Sequence, residues 1–440
     1  PQLAGLPGHP AVAGRVQAPA LGLAGQPLRS RCGAPLALGF SDRLPSASRA
    51  PAALVVGAAA ATLRCRLGRS RRGRRGTTLC VARVFEFFSG IGGLRTAYRL
   101  AVGATPSFPS WRAMEVDETC CKVYSEIYRS GLMNGVRAQR LWEYAPGQDE
   151  IWRCSIDKLP DQAFEGAELW LLSPPCQPFT RTGNHMDTND RRCAALLRLL
   201  EALPKLSQPP RALLVENVPE FMGSKAHGRL RRALEQCSLS YEVEEFILDP
   251  TEFGFPNTRK RFYVLATSTT VDAQRPAIPL PGIGAPTLET RPVRDFCGRP
   301  AMPVDSDLRV QHKLLQRANA ASWQLDVATA SSTATKTFTA SYGKVSYAGE
   351  GLSKAGPLLL TEADSQAPTE DRRRRFGVPK EEFWPRIRYF APSEMLALQG
   401  FPEGWALPSW LQTRQRWRLI GNSINVEVVR RLVERLLAKL

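Results

Sequence analysis

The apolar run Leu169-Trp170-Leu171-Leu172 breaks directly into Ser173-Pro174-Pro175-Cys176, and that junction restricts what the chain can fold into. Four apolar residues without helical spacing read as a buried strand, and two successive prolines can neither continue a sheet ladder nor enter a helix interior. The strand therefore ends on a stiff turn that carries one thiol, with Gln177-Pro178-Phe179-Thr180 after it. A thiol attacks as thiolate, and a rigid loop lets nearby cations and backbone donors favour that form. A lone cysteine is more often a small buried hydrophobe, so a catalytic reading of Cys176 depends on its companions.

Three other segments supply them. Leu213-Leu214-Val215-Glu216-Asn217-Val218 is a second apolar strand that ends in a carboxylate and an amide. A buried carboxylate is expensive unless it is paired or working, which makes Glu216 a candidate acid. Asn257-Thr258-Arg259-Lys260-Arg261 leads into the strand Phe262-Tyr263-Val264-Leu265-Ala266. Strand alternation places Arg259 and Arg261 on one face, where their fixed forks can hold an anion or a carbonyl. Phe85-Glu86-Phe87-Phe88-Ser89-Gly90-Ile91-Gly92-Gly93 is a strand that opens into a glycine-rich turn, with a helix predicted from about Leu94 to Leu100. Glycines there let backbone approach a ligand, as in dinucleotide folds, and the Gly-Lys-Ser/Thr ending of a phosphate-binding P-loop is absent. Further on, Ala113-Met114-Glu115-Val116-Asp117 offers an acid at another strand end, the place where ribose hydroxyls are usually held.

With these residues in place, the chain resembles the cytosine-C5 methyltransferases. The matching blocks stand in that family's order: Phe88-Ser89-Gly90-Ile91-Gly92-Gly93, Pro174-Pro175-Cys176-Gln177, Glu216-Asn217-Val218, Asn257 with Arg259 and Arg261, and Gly421-Asn422-Ser423-Ile424-Asn425. They span roughly residues 83 to 440. The resemblance implies methyl transfer from S-adenosylmethionine to carbon 5 of cytosine, without a metal. Cys176 would attack carbon 6, Glu216 would hydrogen-bond ring nitrogen 3 and the exocyclic amine, and Arg259 and Arg261 would hold the carbonyl oxygen and orient the thiolate or Glu216. The cofactor residues it implies are Phe88, Gly90, Ile91, Gly92, Glu115, Val116, Asp157, Pro174, Asn422, Ser423 and Asn425, with Asp157 the loosest match. No residue is named for removing the carbon 5 proton; bound water is the expectation.

The flanking residues resemble the tRNA-methylating branch, which acts on cytosine 38 of the anticodon loop. Pro178-Phe179-Thr180-Arg181-Thr182-Gly183, Pro250-Thr251 with Gly254 and Pro256, and Arg388-Tyr389-Phe390-Ala391-Pro392 before Gly400-Phe401-Pro402 carry this likeness. The branch has a Cys-Phe-Thr signature; here Thr337-Phe338-Thr339 stands in its place. An anticodon loop presents an unstacked base and spares the enzyme the few kcal/mol of opening a duplex, which favours tRNA. Duplex DNA is the alternative acceptor, and a silent nucleic-acid binder is disfavoured because Cys176, Glu216, Arg259 and Arg261 are all present.

The fold expected from the motif order is α/β, a doubly wound Rossmann-like methyltransferase domain with a smaller target-recognition lobe. Residues 1–82 form a leader, 83–270 the catalytic domain, 271–407 the small lobe, and 408–440 a C-terminal segment completing the catalytic domain. Residues 130–150 look like a surface insertion. The formal charge of +18 suggests a nucleic-acid partner, but the leader holds twelve arginines and one acid, Asp42, which leaves +7 for the remaining 358 residues. RNA contacts in the enzyme body are thus expected as local patches, with Arg181, Arg191, Arg192, Lys344 and Arg372 to Arg375 as candidates.

The leader is rich in Ala, Gly, Pro, Ser and Arg, starts without a methionine, and is expected to be disordered and incomplete. It reads as a transit peptide, a non-catalytic extension or a gene-model artefact. Its stretch Ala52 to Leu63 is too short to span a bilayer. An intracellular location is expected: cytoplasm or nucleus, with plastid or mitochondrion open through the leader. Ten cysteines without a secreted pairing pattern imply a reducing compartment. Zinc-dependent cytidine deaminases, which also use a Pro-Cys turn, need a second cysteine where Phe179 stands and a His-x-Glu that none of the four histidines provides. Nothing in the sequence sets an oligomeric state.

Overall fold

Alternation along three central strands builds two cores at once. Val84, Leu169, Leu171, Ala212 and Leu214 fall in one buried cluster, and Phe85, Phe87, Trp170, Leu172, Leu213 and Val215 in the other. Strands apolar on both faces belong inside a parallel sheet covered by helices on each side. The computed structural model describes residues 81–103, 108–134, 149–179, 186–269, 277–297, 306–320, 325–344, 356–361 and 381–440. The leader up to residue 80, Arg181, Arg372 to Arg375 and most of the 130–150 insertion lie outside the described residues.

Eight strands form the main sheet: β1 (Arg83–Phe87), β2 (Ser110–Glu115), β3 (Gly131–Asn134), β4 (Glu150–Arg153), β5 (Leu169–Leu172), β6 (Ala212–Asn217), β7 (Tyr241–Leu248) and β8 (Arg261–Ser268). Their spatial order is β3-β4-β2-β1-β5-β6-β8-β7. The first six run parallel, β8 is antiparallel to β6, and β7 is antiparallel to β8. The chain winds outward from β1 through β2 to one edge and then returns to place β5 on the other side of β1. In such doubly wound sheets the crevice at the carboxyl ends of the strands, where the winding reverses, is the ligand site.

The helices are α1 (Gly93–Val102), α2 (Glu118–Tyr128), α3 (Ala194–Ala202), α4 (Lys225–Glu235), α5 (Arg294–Cys297), α6 (His312–Ala320), α7 (Pro392–Leu398), α8 (Thr413–Asn422) and α9 (Val426–Lys439). α1 and α9 contribute Leu94, Val428 and Leu432 to the first core, while α3 and α4 contribute Leu199 and Leu230 to the second. α9 is tied to the antiparallel edge, where Lys439 Nζ lies 2.8 Å from Glu242 and Glu244 of β7 and Arg435 pairs with Glu244. Beyond β8, α5 to α7 surround short strands at 327–328, 358–360 and 387–389. Leu308, Leu358, Phe390 and Trp417 of this region join the same core as Leu94. Arg75–Leu440 accordingly forms one compact unit.

Two charged residues interrupt the core behind the glycine turn. Glu86, mid-strand in β1 and 0% exposed, accepts hydrogen bonds from Tyr124 Oη at 2.7 Å and Trp111 Nε1 at 2.9 Å. Arg95 of α1 lies 4.7 Å from the Tyr128 ring centroid, donates to Ser130 Oγ at 3.1 Å and pairs with Asp149. It thereby fixes both ends of the segment between α2 and β4.

Burial pushes the Glu86 carboxyl up to about 7. A pKa raised on folding stabilises fully below the unfolded value and is lost as pH rises through the folded one. The stability of the wild type relative to Glu86→Gln is therefore expected to fall by about 3 kcal/mol between pH 4.5 and 8. Denaturant melts of both chains across this range check it, and a difference independent of pH contradicts it.

Candidate active site

Four loops leave the carboxyl ends of β1, β2, β5 and β6 and enclose one cavity. The loop after β1 holds three left-handed residues, Phe88 (φ 57°), Gly90 (φ 53°) and Gly92 (φ 85°). Phe88 pays for a conformation that L side chains rarely adopt, and such strain collects at ligand sites. Gly90 lines the cavity, and a Cβ built on it would meet nothing within 4 Å, so its bare face is turned to open space. Gly92 differs: a Cβ there would sit 2.3 Å from the Tyr128 ring, and Tyr128 Oη donates to Gly92 O at 2.6 Å. Its missing side chain makes room for a tyrosine of α2, whereas the sequence reading assigned it to the cofactor. Such a packing partner is separated from Gly92 by a strand and has no local signal.

Glu115 closes the neighbouring wall. Its Oε2 accepts the Gly90 N–H at 2.9 Å and its Oε1 accepts the Val116 and Asp117 N–H groups at 2.7 and 2.9 Å. Burial raises its pKa while these backbone donors hold the charged form. Val116, 65% exposed, stands at the rim. Asp117 caps α2 by accepting from Cys120 N at 2.9 Å and pairs with Arg418 of α8 at 2.6 Å.

On the other side, Cys176 sits just after the two prolines, and Phe179 N donates to Cys176 O at 2.9 Å to close the turn. Asn217 Nδ2 donates to Pro174 O at 3.2 Å while Asn217 Oδ1 accepts from Val218 N at 2.8 Å, so the amide at the end of β6 pins the proline turn. Glu216, 5% exposed, accepts from Ser173 Oγ at 2.7 Å and pairs with Arg261 Nε at 3.1 Å. Burial pushes the Cys176 thiol up, the guanidiniums of Arg261 and Arg259 oppose this, and Glu216 adds to it. Desolvation outweighs the cations, so the resting site holds the thiol rather than the thiolate expected from the stiff loop alone.

The two arginines part company. Arg259 precedes β8 and turns its guanidinium onto the carbonyls of Phe338 (3.2 Å), Gly421 (3.3 Å) and Ser423, whereas Arg261, the first residue of β8, points to Glu216. Strand alternation does not apply to Arg259 because the strand begins after it. Burial lowers Arg259 to about 9, which leaves it charged at neutral pH. Thr337 Oγ1 donates to Thr258 O, a bond that a thiol makes poorly, so threonine in place of cysteine is used here to join the same two loops.

The C-terminal segment completes the wall. Asn422, Ser423 and Ile424 line the cavity at the end of α8. A Cβ on Gly421 would lie 2.2 Å from Thr339 O, so only glycine allows α8 this close to that backbone. Asn425 caps α9 by accepting from Val428 N at 3.1 Å and does not line the cavity. Asp157 lies in the short turn Ile156–Lys158, bonded by Ser155 Oγ, and also falls outside the lining. Phe88, Gly90, Ile91, Glu115, Val116, Pro174, Cys176, Glu216, Arg259, Arg261, Asn422 and Ser423 are brought together. Asp117, Cys120 and Arg418, missed in the sequence, line it too. Arg418 was legible as the residue one helical turn before Asn422.

The cavity fits a ligand with an apolar body, hydroxyls and a positive charge. Phe88, Ile91 and Leu419 supply the apolar wall and Glu115 a carboxylate. Ser89 Oγ is buried there without a hydrogen-bond partner among the described residues.

The family model for C-5 cytosine-specific DNA methylase matches residues 82–438. A tRNA (cytosine(38)-C(5))-methyltransferase of Schizosaccharomyces pombe is 30% identical, with 81% of this chain and 97% of that protein covered. A DNA (cytosine-5)-methyltransferase of Dictyostelium discoideum is 27% identical, with 80% and 93% covered. The crystal structure of the S. pombe Dnmt2 methyltransferase superposes with a TM-score of 0.61 at 27% identity, over 81% of this chain and 98% of that one.

Removal of each arginine separates their roles. Arg259→Ala leaves three inward-facing carbonyls without their donor and is expected to cost ~3 kcal/mol or more of stability. Arg261→Ala, which removes one ion pair at the cavity wall, is expected to cost less than half as much. Thermal melts of the two variants check the order, and equal losses contradict it.

Proposed function

The chain belongs to the C-5 cytosine-specific DNA methylase family, and from that premise we propose that it methylates carbon 5 of cytosine 38 in the anticodon loop of a tRNA, using S-adenosylmethionine and a covalent bond from Cys176. The observation that carries this reading is the meeting of Cys176, Glu216 and Arg261 with Gly90 and Glu115 in one cavity. The likeness to the S. pombe tRNA enzyme over 81% of the chain supports tRNA as acceptor.

Carbon 5 of cytosine is a poor nucleophile until carbon 6 is attacked. The Cys176 thiol first gives its proton to solvent; the thiolate then adds to carbon 6, and the ring electrons move so that carbon 5 becomes enamine-like. Glu216, sharing a proton with ring nitrogen 3 as charge develops there and accepting from the exocyclic amine, stabilises that charge, and Arg261 and Ser173 fix its orientation through the bonds at 3.1 and 2.7 Å. A fixed donor aimed at developing charge contributes roughly 3 kcal/mol. Arg259 acts one step removed, tying the Ser423 backbone of the cavity wall to the Phe338 carbonyl behind it. S-adenosylmethionine, when bound, supplies a methyl made electrophilic by its sulfonium, with no metal required. Glu115 would accept from its ribose hydroxyls, Phe88, Ile91 and Val116 would pack its apolar parts, Gly90 and Pro174 would admit it, and Asn422 and Ser423 would close over it. Once carbon 5 carries the methyl, its proton must leave before the Cys176 sulfur can depart; no side chain is assigned to that step.

Residues 271–407 are read as the part that recognises the acceptor. Among the described residues no helix is long and apolar enough to cross a membrane. The tRNA reading places the protein in cytoplasm or nucleus, or in a plastid or mitochondrion where the leader acts as a transit peptide.

Labelled methyl transfer to purified tRNA and, separately, to duplex DNA tests the reading. Label on an anticodon-loop cytosine, lost in Cys176→Ala with cofactor binding kept, is expected; label on DNA alone contradicts tRNA as acceptor. Glu115→Ala is expected to weaken cofactor binding at least tenfold. Because burial raises the Cys176 thiol, kcat/KM is expected to climb with pH above neutrality, and Arg261→Ala, which removes an opposing cation, to move that climb to higher pH. A flat profile in both chains contradicts thiolate attack.

A further inference from the structure

A second cavity lies beside the first, lined by Asp307, Arg309, Lys344, Tyr389, Arg414 and Trp417 among others. Two elements pass from one cavity to the other. Helix α8 gives Arg418 and Asn422 to the catalytic cavity and Arg414 and Trp417 to the second. The loop whose Phe338 carbonyl meets Arg259 continues to Gly343 and Lys344 in the second wall. Gly343 (φ 73°) lies so near Trp417 that a Cβ would be 2.5 Å from the ring, which holds the backbone before Lys344 hard against α8.

We propose that this second cavity is a phosphate-binding subsite for the RNA strand that flanks the target cytosine, an inference that rests on tRNA being the acceptor. Arg309, Lys344 and Arg414 are exposed, and their side chains make no ion pair or hydrogen bond with another described residue. Three cations around one cavity with Asp307 as the acid of its lining repel each other until an anion enters. The aromatic walls offer little to a base. Trp417 is 2% exposed, its Nε1 donates to Phe390 O at 3.0 Å, and its ring packs on Tyr389 with centroids 5.1 Å apart. Charge without a free ring face selects backbone phosphate over base stacking. Arg414 and Arg418 lie one helical turn, about 6 Å, apart along α8, which sets the walls of the two cavities side by side on that helix.

The test uses the full chain, in which the arginine-rich leader is common to wild type and variant. Affinity for tRNA is measured across a salt series for wild type and for Arg309→Ala/Lys344→Ala/Arg414→Ala, with methyl transfer and S-adenosylmethionine affinity measured in parallel. The subsite requires at least a tenfold loss of tRNA affinity at physiological salt, a log–log salt slope shallower by about 2, and a loss that falls on KM for tRNA rather than on kcat. Unchanged S-adenosylmethionine affinity shows that the variant is folded. A wild type that methylates tRNA, with a triple variant whose tRNA affinity and slope stay within twofold, overturns the subsite alone. A wild type that leaves tRNA unmethylated overturns the acceptor reading and the subsite with it.

Discussion

The guanidinium of Arg259 joins segments that are far apart in the chain. It gathers the carbonyls of Phe338, Gly421 and Ser423 at the mouth of β8, where the sheet, the region after β8 and the C-terminal helices meet. Burying a charge is costly unless hydrogen bonds offset it, and since Arg259 Nε has no partner among the described residues, the two terminal nitrogens carry that task. The catalytic wall formed by Asn422 and Ser423 therefore exists only when all three backbones are in place. Gly421, which lets α8 touch Thr339, and Asn257, whose Nδ2 donates to Thr335 Oγ1 at 2.9 Å and Lys336 O at 2.7 Å, serve the same junction.

Around it, polar groups work in pairs across strand ends. Glu115 accepts from the backbone of the β1 loop, Asn217 donates to the backbone of the β5 loop, and Glu216 is held between Ser173, just after β5, and Arg261 of β8. Each strand end is thus fixed by a side chain from its neighbour, which keeps the cavity formed without a ligand. Pre-organised donors of this kind need no rearrangement as charge develops. The cost is desolvation, visible in the raised thiol of Cys176 and the raised carboxyl of Glu115.

Much of this was legible in the residues. Apolar runs of four or five residues marked β5, β6 and β8, with proline or acid following the first two, and β1 was marked by Phe85, Phe87 and Phe88 before its glycine turn, because a strand buried on both faces leaves an apolar trace. The helix expected from Leu94 to Leu100 runs from Gly93 to Val102. Local spacing failed where a tertiary partner decides the role. Gly92 answers to Tyr128, Arg259 to carbonyls near residues 338 and 421 to 423, and Asn425 to the first turn of α9. The pairing of Asp117 with Arg418, which lie far apart in sequence, leaves no local pattern in either segment.

The central claim is a covalent bond between Cys176 and carbon 6 of a tRNA cytosine, and trapping it is the most direct test. A tRNA carrying 5-fluorocytosine at position 38 cannot lose a proton from carbon 5, so the sulfur cannot depart after methylation. Wild type with S-adenosylmethionine is predicted to give a denaturation-resistant protein–RNA complex whose bond maps to Cys176 and is absent in Cys176→Ala. A chain that methylates ordinary tRNA yet forms no such complex, or forms it at another residue, contradicts the account.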